Sequence, residues 1–274
     1  MPRTAIFDRF KLDQRVAIVT GGAGLLGKEF CRTLAQAGAS VVVADLDEPA
    51  AQRVAESLQS EGWQAMSVNV DVTAPDSVRA MVAQTLSIYD RLDILVNSAA
   101  LDPKFDPQHG GHANAFEDYP LELWNQALAV NLTGVFLCCQ AVIPPMLRQG
   151  KGVIVNLASI YALTAPDQRL YQRNGEPPQY KPAYYPVTKA GVLGLTAYLA
   201  AYYGRQNIRV NALTPGGVYN EHDIEFVRSY AARTMLGRMA HKDDLNGALL
   251  FLASDASEYM TGANLIVDGG WSAW

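Results

Sequence analysis

Residues 15–38 read RVAIVTGGAGLLGKEFCRTLAQAG. RVAIVT is a short apolar run rich in β-branched residues, as a buried strand requires. GGAGLLG, residues 21–27, follows at once. KEFCRTLAQA then repeats apolar residues at helical spacing, and Gly38 closes the helix as a C-terminal cap. Small residues at a strand-to-helix turn let backbone approach a pyrophosphate, while the helix start supplies N–H groups and positive potential. Gly21, Gly24 and Gly27 are therefore candidate cofactor contacts.

The unit repeats downstream. SVVVAD (40–45) and AMSVNVD (65–71) read as strands, with a helix from about Glu48 to Gln59 between them. Thr73 is expected to cap the next helix, with Asp76 three residues on, and LDILVN (92–97) is a fourth strand. Strict alternation of strand and helix predicts an α/β fold, a doubly wound parallel sheet with helices on both faces. Beyond it, 101–120 reads as a loop and 121–148 as a long helix bent at Pro144 and Pro145. A strand at 152–158, an irregular stretch at 160–183 and a helix at 183–204 follow. Strands at 208–213 and 264–267 flank a region with short helices. With no linker or internal repeat, residues 1–274 are expected to form a single domain.

Composition narrows the function classes. Of 274 residues, 49% are hydrophobic, ample for a substantial core, and the net charge is -5. The absence of a basic block argues against nucleic acid or an anionic membrane surface as partner. MPRTAIFDRFKLDQR lacks the pattern of a secretory signal, and no uninterrupted apolar stretch reaches the ~18 residues of a membrane span. Cys31, Cys138 and Cys139 lack metal-ligand or disulfide spacing and are expected to be reduced packing residues of a cytoplasmic protein. His109 and His112 have no third ligand in register, so no metal is expected.

In doubly wound sheets ligands bind beyond the carboxyl ends of the strands. Asp45 ends the second strand, 18 positions after Gly27, where it can accept from ribose hydroxyls and would repel a 2′-phosphate. No Arg or Lys lies within the glycine loop or beside Asp45, which favours NAD over NADP. Asp71 can accept from the adenine amino group, and Asn97, Ser98 and Ala99 close the fourth strand. In PAYYPVTKAGVLGLT (182–196), Tyr185 and Lys189 share one helical face. The lysine cation is expected to lower the phenol pKa toward the working range of a general acid/base.

TGGAGLLG, NVDVT, NSAA, VNLTGVF, VNLAS, Tyr185-x-x-x-Lys189, RVNALTPGG and VDGGW stand in the order found in short-chain dehydrogenases/reductases. The chain resembles that family over residues 14–271. The resemblance implies a single Rossmann-type domain, a nicotinamide cofactor, and a catalytic group of Asn131, Ser159, Tyr185 and Lys189. Asn131 would hold a helix distortion and a water of a proton relay. The implied cofactor contacts are Gly21, Gly24, Leu26, Gly27, Asp45, Asp71, Val72, Asn97, Ser98, Ala99, Tyr185, Lys189, Pro215, Gly216 and Val218. Members commonly pair through the helices at 121–148 and 183–204, so a homodimer or homotetramer is expected.

Two departures matter. Leu25 stands where the shorter subfamily has its second glycine, and the Ser159-to-Tyr185 spacing is about a dozen residues longer than usual. These features and the VDGGWSAW ending resemble a branch found with bacterial surface-sugar pathways, including flagellin modification and nonulosonic acid biosynthesis. The insertion is expected to shape the substrate pocket, with Tyr161, Arg169 and Arg173 as contacts and Lys181 as a further cation. The expected activity is NAD-dependent hydride transfer to or from a secondary alcohol or ketone, on a small, polar, sugar-like substrate. Two alternatives are a sugar epimerase or dehydratase that retains its NAD, and a non-catalytic NAD-binding protein.

Overall fold

The computed structural model describes residues 5–102, 115–172 and 179–274. Seven strands form one parallel sheet: β1 Val16–Thr20, β2 Ser40–Asp45, β3 Ala65–Asn69, β4 Ile94–Asn97, β5 Gly152–Leu157, β6 Ile208–Pro215 and β7 Asn264–Val267. Their spatial order is β3-β2-β1-β4-β5-β6-β7. The order reverses between β1 and β4, and at such a switch point helices diverge to opposite faces and leave a crevice.

Because side chains alternate along a strand, each strand feeds two cores. Val16 and Ile18 of β1 face helices α3 (Pro75–Tyr89), α5 (Gly134–Gln149) and α6 (Tyr184–Tyr203). Ala17 and Val19 face α1 (Leu25–Gln36), α2 (Glu48–Ser60) and α8 (Asn246–Ala253). Both faces are covered, so the strands read as continuous apolar runs. A further helix, α7 (Ile224–Ala231), packs apart from these two cores, against the segment after β5.

One sequence expectation needs correction, and two gain a further observation. Thr73 does not cap α3. The cap position is Ala74, with no side-chain hydrogen bond, because the Thr73 hydroxyl donates to Asp71 Oδ1 at 2.7 Å. The long helix also widens at Ala129–Thr133, between α4 (Leu121–Leu128) and α5, where Gly134 N–H bonds Ala129 O. Pro144 and Pro145 both lie inside α5. Finally, the helical run Leu121–Gln149 has the length and hydropathy to cross a bilayer, since its few polar residues barely dilute the average. In this fold Val135, Cys138, Val142 and Met146 of that run are buried in the core with the sheet.

Candidate active site

The glycine loop is built by close backbone approach. Gly21 has φ +64°, and a Cβ there would stand 2.7 Å from Ala99 Cα. A Cβ on Gly27 would stand 2.0 Å from the Gly21 carbonyl oxygen. Neither site tolerates a side chain without movement of backbone. Leu25 opens α1 and is exposed, whereas Leu26 packs against the core beneath. Asp45 Oδ2 accepts from Ala23 N–H at 2.9 Å and Oδ1 from Asp47 N–H at 3.1 Å. The carboxylate is thus held at the end of β2, against the loop. Thr20 Oγ1 accepts from Ser98 and Ala99 N–H at 3.3 and 3.4 Å, tying the end of β1 to that of β4.

Some expected contacts turn inward. The Val72 side chain packs in the core, 2.9 Å from where a Gly134 Cβ would stand. The Asn97 amide donates to Asn156 Oδ1 at 2.9 Å, and Asn156 in turn to Thr196 Oγ1 at 2.9 Å. Asn97 therefore braces β4, β5 and α6 rather than presenting its side chain to the crevice. Asp71 stays at the end of the segment after β3, accepting from Thr73 N–H at 2.8 Å.

The catalytic candidates converge beyond the carboxyl end of β5. Asn131 is fully buried within the widened helical turn; its Oδ1 accepts from Leu101 N–H at 2.6 Å and its Nδ2 donates to Leu101 O at 3.0 Å. Such turns recur at functional sites because they displace a carbonyl from the regular ladder. Ser159 is buried and hydrogen-bonds the Tyr185 hydroxyl. Lys189, also buried, donates to Leu157 O at 2.8 Å, and its Nζ lies 5.9 Å from the Tyr185 ring centroid.

Electrostatics departs from the sequence reading. Burial dominates and raises the Tyr185 phenol well above its ordinary value, the Asp102 charge adds to this, and the Ser159 hydrogen bond pulls the other way. Burial also lowers Lys189 to about 8, against a raising contribution from Asp102. The net shift of the phenol is upward, opposite to the depression expected from Lys189, because burial is the largest contribution.

Among its described residues, the insertion after Ser159 is neither strand nor long helix. It carries short 3-10 turns at Ile160–Ala162 and Gln168–Tyr171. Tyr161 stands edge-on to Tyr185 with centroids 6.4 Å apart, and its hydroxyl meets that of Tyr171 at 2.9 Å. Tyr161, Tyr171, Phe226, Tyr230 and Met239 form an aromatic-rich cluster against Tyr185 and Trp271. The segment after β6 is fixed beside it: Gly216 N–H donates to Val267 O at 2.9 Å, Val218 bridges to Ala240, and Gly217 N–H donates to the Tyr230 hydroxyl. Pro215 ends β6 at the same sheet edge.

Arg169 is not brought to this centre. Its guanidinium is exposed and grips Asp167 with two bonds of 2.8 Å. Arg233 takes the same carboxylate at 2.6 Å, and these partners hold Asp167 far below the usual carboxylate range. Arg173, His109 and His112 lie outside the described residues. Two groups the sequence reading left in the background do face Tyr185. Lys181 Nζ sits over the ring, 4.1 Å from its centroid, and pairs with Asp102. Lys181 stands four residues before Tyr185, as Lys189 stands four after, a spacing visible in the sequence.

Comparison with known proteins gives consistent relatives. The family profile described as enoyl-(acyl carrier protein) reductase matches residues 22–272. A short chain dehydrogenase/reductase of Aspergillus oryzae is 37% identical, over 96% of this chain and 97% of its own. D-threitol dehydrogenase of Mycolicibacterium smegmatis is 35% identical, over 96% of this chain and 95% of its own. The crystal structure of a gluconate 5-dehydrogenase from Burkholderia cenocepacia, in complex with NADP and tartrate, superposes with a TM-score of 0.86 at 32% identity. That alignment covers 98% of this chain and all of the other.

Proposed function

Since the chain belongs to the short-chain dehydrogenase/reductase family, we propose that it is an NAD-dependent oxidoreductase acting on a secondary alcohol of a small polyhydroxylated substrate. The observation that carries the reading is the convergence of Ser159, Tyr185 and Lys189 beyond a glycine loop into which no side chain fits. Relatives named for D-threitol and gluconate support the substrate class.

Gly21, Gly24, Leu26, Gly27 and the Asp45 carboxylate would hold the adenosine and pyrophosphate part. Asp71, the Val72 main chain, Ser98 and Ala99 would line the way to the centre. Pro215, Gly216 and Val218 would seat the nicotinamide end, with Asn97 bracing the floor. When bound, the dinucleotide supplies the hydride acceptor for oxidation or the donor for reduction. Tyr185 exchanges a proton with the substrate oxygen. Ser159 donates a hydrogen bond to that oxygen as charge develops on it. Lys189 holds the nicotinamide ribose and offers positive charge to a phenolate. Asn131 fixes the turn that opens a path for a relay water. Burial keeps the Tyr185 phenol neutral in the protein alone, so it is poised as the proton donor.

The described residues of the insertion, 160–172 and 179–183, would form one wall of the substrate pocket within a single catalytic domain. Tyr161→Ala should raise KM for the substrate roughly tenfold, about 1.4 kcal/mol, with NADH affinity nearly unchanged. Equal losses in both would place Tyr161 on the cofactor side. The exposed Phe136, Val187, Tyr198 and Tyr202 of α5 and α6 support a symmetric homodimer or homotetramer built on these helices. The buried free thiols of Cys31, Cys138 and Cys139 support a reducing, cytoplasmic setting.

The cofactor is the point to test first, because the gluconate 5-dehydrogenase holds NADP. Asp45 is fixed against the loop by Ala23 N–H, and a 2′-phosphate beside it would meet like charge. Titration of protein fluorescence should give tighter binding of NADH than of NADPH by at least about tenfold. Asp45→Ala should narrow the gap. Equal or reversed affinities in the parent protein would overturn the assignment to NAD.

A further inference from the structure

We propose that Asp102 and Lys181 form a charge-compensated pair that sets the proton affinity of Tyr185, with Lys181 a positioning residue acting through the phenol ring. The inference rests on the acid/base reading of Tyr185. The Lys181 side chain is only 8% exposed, yet its Nζ pairs with Asp102 and lies over the ring at 4.1 Å from the centroid. A buried ammonium needs both a counter-ion and a fixed perch. Asp102 is the counter-ion, reaching in from the segment after β4. The perch is made by Gln168, whose side chain accepts from Lys181 N–H at 2.8 Å and donates to Lys181 O at 3.1 Å. The insertion therefore delivers a second lysine to the acid/base, on the side opposite in sequence to Lys189.

The groups around Tyr185 come from four directions. Ser159 reaches it from the end of β5, Tyr161 and Tyr171 from the insertion, Tyr184 and Lys189 from α6, and Asp102 with Lys181 from the mouth. Beside these hydroxyls, the ion pair of Asp102 with Lys181 and the Lys189 amine are the other ionisable groups at the centre. The Asp102 carboxylate raises both Tyr185 and Lys189, while Lys181 lowers Lys189. Anion and cation thus oppose each other at the reacting centre. Removing the carboxylate leaves a naked cation over the ring and favours phenolate. Removing the ammonium leaves an uncompensated carboxylate and favours the neutral phenol.

Opposite signs make the test. The near-ultraviolet phenolate absorbance of the NAD-loaded protein is titrated against pH, with the corresponding Tyr185→Phe protein subtracted in each case. Asp102→Asn should bring the Tyr185 midpoint down by about one pH unit or more. Lys181→Met should move it above the parent, and Lys181→Arg should keep it near the parent. A general loosening of the pocket would shift both removals in one direction, which would overturn the proposal. So would an Asp102→Asn protein whose phenol titrates no earlier than the parent's. Should Lys181→Met fail to fold, Asp102→Asn against Asp102→Glu decides: the glutamate must retain the parent midpoint while the asparagine lowers it. Full turnover in Tyr185→Phe would instead remove the acid/base reading itself and leave these midpoints standing.

Discussion

Tyr185→Phe should lose at least about a thousandfold in kcat, the span expected for deletion of a positioned acid/base, while NADH binds as in the parent. The change deletes one oxygen from a ring already held by its neighbours. Tyr161 stands edge-on to that ring and Lys181 and Lys189 lie near its face, so the packing survives. What is lost is the hydroxyl that hydrogen-bonds Ser159 and would meet the substrate oxygen. Initial rates in both directions, with a fluorescence titration of NADH, check it. A variant that keeps a tenth of the parent rate would mean that the proton moves through another group.

The second large effect lies at the other end of the crevice. In Gly27→Ala the new methyl would stand 2.0 Å from the Gly21 carbonyl oxygen and 2.8 Å from Gly22 Cα. Both are backbone atoms of the turn itself, so the loop must shift rather than a side chain. Overpacking of this kind costs about 1–3 kcal/mol, and a displacement of about 1 Å at a positioned site is worth about a hundredfold. We expect a melting temperature lower by several degrees and NADH binding weaker by about that factor. Gly247→Ala on α8 is the control. No atom lies within 4 Å of its added methyl, so the helix should be unaffected or slightly stabilised. Parent-like NADH affinity in Gly27→Ala would show that the loop does not set the cofactor's position.

These two positions were also the legible ones. Gly27 announces itself because a strand, a turn and a helix fit into residues 16–36 around it, and Tyr185 because Lys189 stands one helical turn away. The doubly wound sheet followed from local periodicity, since parallel strands buried on both faces leave unbroken apolar runs. What sequence could not supply was orientation. Asn97 ends β4 as expected, yet its amide turns to Asn156 and Cys139 because the inner side of the strand needs a polar brace. Arg169 lies in the right loop, but Asp167, two residues away, captures it at the surface. Thr73 has the composition of a cap and serves Asp71 instead.

Electrostatics was the least legible property. Four-residue spacing places Lys189 beside Tyr185, but the sign of the resulting shift depends on desolvation, which only the packed structure determines. The same holds for Lys181 and Asp102. They are 79 positions apart, and the insertion and the segment after β4 must both be folded before the pair exists.

The proposed activity requires net hydride transfer to a dinucleotide that leaves the protein. Its most direct test is the appearance of NADH absorbance when the protein is given NAD and a panel of polyols, hydroxy acids and sugar nucleotides. We expect NADH to accumulate in solution, one molecule for each molecule of ketone formed, with at least one polyhydroxylated substrate. Conversion of a substrate with no NADH released would contradict this and point to an epimerase or dehydratase that keeps its cofactor.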